Sequence, residues 1–221
     1  MRGGTMAAAA LLLGAILAAA GCAGLGAKPA VLVEQYTLEY APPGQSDQAP
    51  LAAGLLVERF SLAQEYADQG MVYRPEAFRR QVYNYHRWRA NPADLVGDHL
   101  VRDLRAAQAF SGVFTLTKPG VARFTLQGGV REFLEVDEAG GSKAVLEVEV
   151  ALLDAREREL PRRLIFQRTY RQEAAMAAAS APELARAMSQ CMAQLSRQVL
   201  ADARQGAAAR LAEPDAGGVT K

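Results

Sequence analysis

Ala144-Val-Leu-Glu-Val-Glu-Val-Ala-Leu-Leu153 decides the fold class. Leu146, Val148, Val150 and Leu152 alternate with Glu147 and Glu149, the period of two that puts one strand face in a core and the other in water. On either side, Ala139-Gly-Gly-Ser142 and Asp154 to Pro161 read as turns. Beyond them Arg123 to Val136 and Arg162 to Gln172 read as strands, and Gly112 to Thr117 as another before them. Together these segments predict an antiparallel meander.

Further upstream, Val31 to Tyr40 carries β-branched and aromatic residues at strand spacing and is closed by Ala41-Pro-Pro-Gly44. Gly54 to Ala63 reads as a second strand, and Met71-Val-Tyr-Arg74 as a short one broken by Pro75. Phe78 to Trp88 fits two patterns. Phe78, Val82 and Tyr85 could share a helical face, but Val82-Tyr-Asn-Tyr-His-Arg-Trp88 is rich in strand formers, and a strand is the reading adopted. Asn91-Pro-Ala-Asp94 opens a helix with proline in its first turn and an acid at the positive end of the dipole. Its apolar face is Leu95, Val96, Leu100, Leu104 and Ala107. Ser180-Ala-Pro-Glu183 opens a second helix, whose inward stripe of Leu184, Met188, Cys191, Leu195 and Val199 continues to about Ala203. The expectation is an α+β domain: a mostly antiparallel sheet with two amphipathic helices packed on one face. Periodicity does not give the strand order.

The N-terminus has a different character. Leu11-Leu-Leu-Gly-Ala-Ile-Leu-Ala-Ala-Ala-Gly-Cys22 ends an apolar run from Met6, preceded by Arg2 and finished by small residues, the build of a secretory signal peptide. The run, about 15 residues to Ala20, is shorter than the ~20 needed to span a bilayer. Ala19-Ala20-Gly21-Cys22 resembles a bacterial lipobox, with Ala19 where lipoboxes commonly carry leucine. That resemblance implies cleavage before Cys22 and acylation of its thiol. Ala23 is not the aspartate that tends to retain such lipoproteins in the inner membrane, so the expected location is the periplasmic face of the outer membrane. The expected organisation is a signal peptide over 1–21, a tether over 22–29, a single domain over 30–205 and a disordered tail over 206–221. An eight-residue tether reaches at most ~30 Å.

Charge narrows the function. Lys and Arg number 25 against 24 Asp and Glu, and loss of Arg2 with the signal leaves an even balance. This argues against a nucleic-acid binder, which needs a concentrated basic footprint, and against polybasic adhesion as the means of membrane attachment. Attachment is assigned to acyl chains. With Cys22 acylated, Cys191 has no disulfide partner and reads as a small core residue.

No motif carries chemistry. The two histidines, His86 and His99, have no paired spacing with each other or with cysteines for a metal, and His99 reads as structural. Ser111 and Ser180 lie in no nucleophile elbow. Gly21 to Lys28 resembles a phosphate loop only superficially, with its lysine one residue late. Glu132, Glu135, Asp137 and Glu138 read as a solvated acidic edge. The expectation is a non-enzymatic protein without metal or cofactor. The aromatic cluster Tyr73, Phe78, Tyr83, Tyr85 and Trp88 has two readings, core packing or an interaction surface anchored on the sole tryptophan. On the second, the candidate interface residues are Tyr73, Arg74, Tyr85 and Trp88.

Tyr36-Thr-Leu38, Met71-Val-Tyr-Arg74 and Tyr85-His-Arg-Trp88, with Pro92 and the helix start at Asp94-Leu95, follow the lipobox in an order that resembles the ABC-type transport auxiliary lipoproteins, Pqi-type lipoproteins among them. The likeness runs from about Val31 to Ala203 and includes Leu126-Gln-Gly-Gly-Val-Arg-Glu-Phe133. It implies a periplasmic partner of a lipid-transport machine built from an ABC ATPase, a permease and a mammalian-cell-entry-domain protein, with phospholipid as a candidate cargo. The alternative is a structural lipoprotein that assists assembly of an envelope complex without handling lipid. Self-association into a homo-oligomer stays open.

Overall fold

The computed structural model describes residues 32–115 and 121–213. Cys22, the signal sequence, the tether and residues 214–221 lie outside them. Among the described residues one nine-stranded sheet is built on its longest member. The strands are β1 (Glu34–Tyr36), β2 (Leu51–Val57), β3 (Ser61–Leu62), β4 (Gly70–Arg74), β5 (Gln81–Trp88), β6 (Phe110–Phe114), β7 (Phe124–Glu138), β8 (Gly141–Asp154) and β9 (Leu164–Ala175). The helices are α1 (Pro92–Ala106), the short α2 (Leu160–Arg163) and α3 (Ala181–Ala212).

One edge of β7 pairs in turn with β2 at Leu126, β3 at Gly129 and β4 at Leu134, all parallel to it. β2, β3 and β4 therefore climb β7 like one interrupted strand. At one end β6 adds in parallel beside β2. At the other, β5 adds antiparallel to β4, and β1 closes the edge in parallel with β5. The opposite edge of β7 takes β8 through a tight turn at Ala139-Gly140, and β9 follows, both antiparallel. The sheet is thus mixed rather than mostly antiparallel: five of its eight pairings are parallel. The meander holds for β7, β8 and β9, while β6 leaves it to lie beside β2. Alternation tells which face a residue takes, not which strand lies beside it. Parallel neighbours are joined by long crossovers that leave no turn signal.

Leu146, Val148, Val150 and Leu152 are fully buried, as their spacing predicts. They share one core cluster with Leu95, Val96, Leu100 and Leu104 of α1 and with Leu184, Met188, Leu195 and Val199 of α3. Asn91 caps α1, its side-chain oxygen accepting from the Asp94 amide at 3.0 Å. Ser180 sits at the start of α3 without a side-chain capping bond; Glu183 instead accepts from the Ala177 amide at 3.2 Å. α3 does not end near 205. It runs to Ala212, with Ala207 buried, so the first part of the expected disordered tail is helix. Alanine-rich sequence that looks featureless has high helix propensity and needs only a surface to pack on. Cys191 is buried, its thiol pushed up to about 12 chiefly by burial, and Sγ lies 3.8 Å from the Ala144 carbonyl of β8.

On the outer face of β8 the glutamates are paired. Arg171 bridges Glu147 at 2.9 Å and also Glu132, while Arg131 pairs with Glu149. Only one end of this face is dry. There Val145 packs with Tyr66, Val72, Leu134 and Val136.

Candidate partner interface

β5 ends in Trp88, and Trp88 is fully buried. Its indole meets Phe133 of β7 edge-on, with ring centroids 5.0 Å apart at 76°. It therefore belongs to the core and presents no anchor to a partner, which removes it from the candidate interface residues. The reason is tertiary: the residue that covers it lies 45 positions away on β7.

Tyr73 and Tyr83 of the same group join His86 and Tyr36 in a half-exposed path across β4, β5 and β1. Tyr73 packs on Tyr83 at 5.0 Å, Tyr83 meets His86 edge-on at 5.9 Å, and His86 meets Tyr36 at 5.7 Å. At the β1 end, Tyr36 donates to Glu34 Oε2 at 2.5 Å. His86 Nδ1 lies 3.2 Å from the Tyr36 hydroxyl and 3.3 Å from the same carboxylate. Loss of hydration and the Glu34 charge push the Tyr36 phenol up to about 12. At the other end, Tyr83 donates to Glu135 Oε2 at 2.8 Å.

Glu135 corrects the reading of a solvated acidic edge. It is fully buried, and its Oε1 has no hydrogen-bond partner. Burial pushes its carboxyl up to about 7, against the pull of the Tyr83 hydroxyl, and the neighbouring Asp137 adds to the rise. The other members of the run are engaged: Glu132 with Arg171, Asp137 with Ser142, and Glu138 with Lys143 at 2.8 Å.

Tyr85 is 53% exposed, and Tyr73 and Arg74 are half-buried. Three of the four expected interface residues thus reach the surface, all on the β4–β5 hairpin. Sequence reasoning did not assign Glu34, Tyr36 and His86 to this surface, because parallel pairing of β1 with β5 brings them there: Glu34 stands opposite His86 and Tyr36 opposite Trp88. The arrangement offers aromatic faces rimmed by hydroxyl, imidazole and carboxylate groups. Aromatic faces with a polar rim are common in protein contacts. Among the described residues no three His, Cys, Asp or Glu side chains converge on a metal-sized site.

His99 is not part of this surface. Its two ring nitrogens face the carbonyls of Leu95 at 2.7 Å and Leu38 at 3.1 Å, stapling α1 to the segment after β1.

The model of the ABC-type transport auxiliary lipoprotein component family matches residues 36–200. The chain belongs to that family. As a transport auxiliary lipoprotein component it sits in a family that is not one of enzymes. No curated protein sequence matches it. Its fold is that of a crystal structure of a Xanthomonas campestris protein assigned to DUF330, with a TM-score of 0.73 at 18% identity, covering 82% of this chain and 100% of that one. A second crystal structure, of an uncharacterized protein, aligns with a TM-score of 0.61 at 19% identity, over 77% of this chain and 98% of that one. Family membership marks a lipid-anchored envelope protein. Among the described residues no helix is long and apolar enough to cross a membrane.

Proposed function

We propose that this auxiliary lipoprotein is acylated at Cys22, stands on the periplasmic face of the outer membrane, and docks or receives the periplasmic subunit of an ABC-type lipid transport system. That subunit is a mammalian-cell-entry-domain protein working with a permease and an ATPase. The observation that carries the reading is the family match over 36–200 lying downstream of a lipobox-like cysteine. The half-exposed aromatic path from Tyr73 through Tyr83 and His86 to Tyr36, with the exposed Tyr85 on the same strand β5, supports docking, since tyrosine gives large amphipathic contact area at low entropic cost. The domain acts as a receptor, and the partner from the inner membrane comes to it.

Crosslinking in intact cells followed by purification tests this. Recovery of a mammalian-cell-entry-domain protein or permease is the expected result, and it weakens with Tyr85→Ala. Recovery of envelope proteins with no transport component would sink the docking reading and favour a structural lipoprotein. Mass spectrometry of material extracted from the purified complex distinguishes lipid handling from docking alone. Cys22→Ser releases the chain from the membrane fraction; a variant still membrane-bound and fully functional would overturn the anchor.

A further inference from the structure

Seven large apolar side chains are exposed among the described residues, and the most exposed is Phe78, at 105%. It lies in the six-residue turn Pro75-Glu-Ala-Phe-Arg-Arg80 between β4 and β5, with its backbone at φ 64°. A bulky residue is disfavoured in this left-handed region, and here the ring gains no packing within the domain in return. Val82 and Tyr85, on the strand that leaves the turn, are also among the seven.

Three arginines neighbour Phe78 in the chain. Arg79 is held by Glu76 at 3.0 Å, Arg80 is exposed with its guanidinium beside the Tyr66 hydroxyl, and neither Arg74 nor Arg80 is in an ion pair among the described residues. The parallel pairing of β4 with β7 brings the β7–β8 turn to the same end of the sheet, but its acids are engaged, Glu138 with Lys143 and Asp137 with Ser142. The end therefore shows an aromatic tip with a net cationic collar.

The direction of β1 matters as much. β1 is parallel to β5, with Glu34 opposite His86, so the start of the domain lies on the side from which β5 arrives, the side of the turn. Measured along β4, where Gly70 stands opposite Arg87 and Arg74 leads into the turn, the turn begins about 13 Å from the level of Glu34. The covalent reach of the segment from Cys22 to Glu34 is about 40 Å, which is enough to bring the turn to the surface that holds the anchor.

We propose that the β4–β5 turn is the membrane-facing foot of the domain: Phe78 inserts among the headgroups of an anionic phospholipid bilayer, and Arg74, Arg79 and Arg80 contact the lipid phosphates. This rests on the reading of Cys22 as the anchor, and it adds an orientation. The acyl chains hold the protein to the membrane, while the turn fixes which end of the sheet faces it. The long axis of β7 is then carried away from the bilayer, with α1 and β6 at the far end. An aromatic residue at headgroup depth with arginines beside it is the ordinary composition of an interfacial contact.

The test is Phe78→Trp in the full acylated chain, reconstituted in phosphatidylethanolamine–phosphatidylglycerol vesicles with brominated acyl chains, against Phe78→Tyr as the background signal from the buried Trp88. Expected are a blue-shifted emission, quenching by the brominated lipid, and loss of both in phosphatidylcholine vesicles or at high salt. With Cys22→Ser, partition of the unacylated chain onto the anionic vesicles falls roughly fivefold for each of Arg74→Gln, Arg79→Gln and Arg80→Gln. An unquenched Phe78→Trp signal in a chain that remains membrane-bound overturns the foot and leaves the anchor intact. A chain that is not acylated overturns the anchor, and the vesicle partition of the same chain still decides the foot. Equal quenching in neutral vesicles overturns the role of the arginines. A turn that stays dry on vesicles, but whose arginines are needed for partner capture in cells, is a protein contact, and lipid docking fails.

Discussion

Tyr83 of β5 donates its phenolic hydrogen to Glu135 of β7 at 2.8 Å, reaching a fully buried carboxyl whose Oε1 has no hydrogen-bond partner among the described residues. Because burial pushes Glu135 from an ordinary 4.5 up to about 7, the folded chain holds a proton there that the unfolded chain releases. Between about pH 4.5 and 7 the folded state binds more protons, so stability falls as pH rises through that window and levels off above it. Glu135→Gln should flatten this dependence and stabilise the domain at pH 8 by up to about 3 kcal/mol. Urea melts from pH 4.5 to 8 check it; an unchanged slope would remove Glu135 as the cause.

Trp88→Ala should cost about 3–5 kcal/mol, since it empties a fully buried site against Phe133. Tyr85→Ala, at an exposed position on the same strand, should change stability by no more than about 0.5 kcal/mol. Thermal melts of the two separate core from surface. A Trp88→Ala chain with wild-type stability and lost partner capture would restore the tryptophan to the interface.

Tyr40 donates to the buried Asp103 at 2.6 Å, and Arg102 both donates to Asp103 at 2.8 Å and lies over the Tyr40 ring at 4.3 Å. This clamp joins α1 to the segment after β1. A double-mutant cycle of Tyr40→Phe and Asp103→Asn should give a coupling of about 1–3 kcal/mol, with each single change destabilising. Additive effects would show that the two act separately.

Gly128 faces the ring of Phe60, and a Cβ there would collide with it. Gly128→Ala should therefore destabilise by about 1–3 kcal/mol through overpacking. Phe60→Leu in the same chain should recover part of the loss. Recovery by Phe60→Leu is read from chemical denaturation midpoints, and none at all would move the constraint from the ring to the backbone.

Local chemistry was readable wherever it depends on neighbours in sequence. The alternation at Leu146 to Leu152, the glycines between β7 and β8, the Asn91 cap and the apolar stripes of α1 and α3 each depend on residues a few positions apart. The exposure of Tyr85 was only one of two readings its aromatic cluster allowed. Phe78 carried a signal that went unused: a lone large apolar residue in a turn, between Pro75 and a pair of arginines. The burial of Glu135 had no such signal, because Tyr83 comes to it from 52 positions away.

By itself the sequence determined that this chain is an α+β auxiliary lipoprotein, since periodicity, caps and family likeness are all written in residue order. Only the tertiary structure decided that the sheet is mixed, that Trp88 and Glu135 are interior, and that β1 begins on the side of the Phe78 turn. The physical reason is common to the three. Each depends on which distant strand pairs along the edge of β7 or β5, and backbone hydrogen bonds between strands leave almost no mark on the residues that make them.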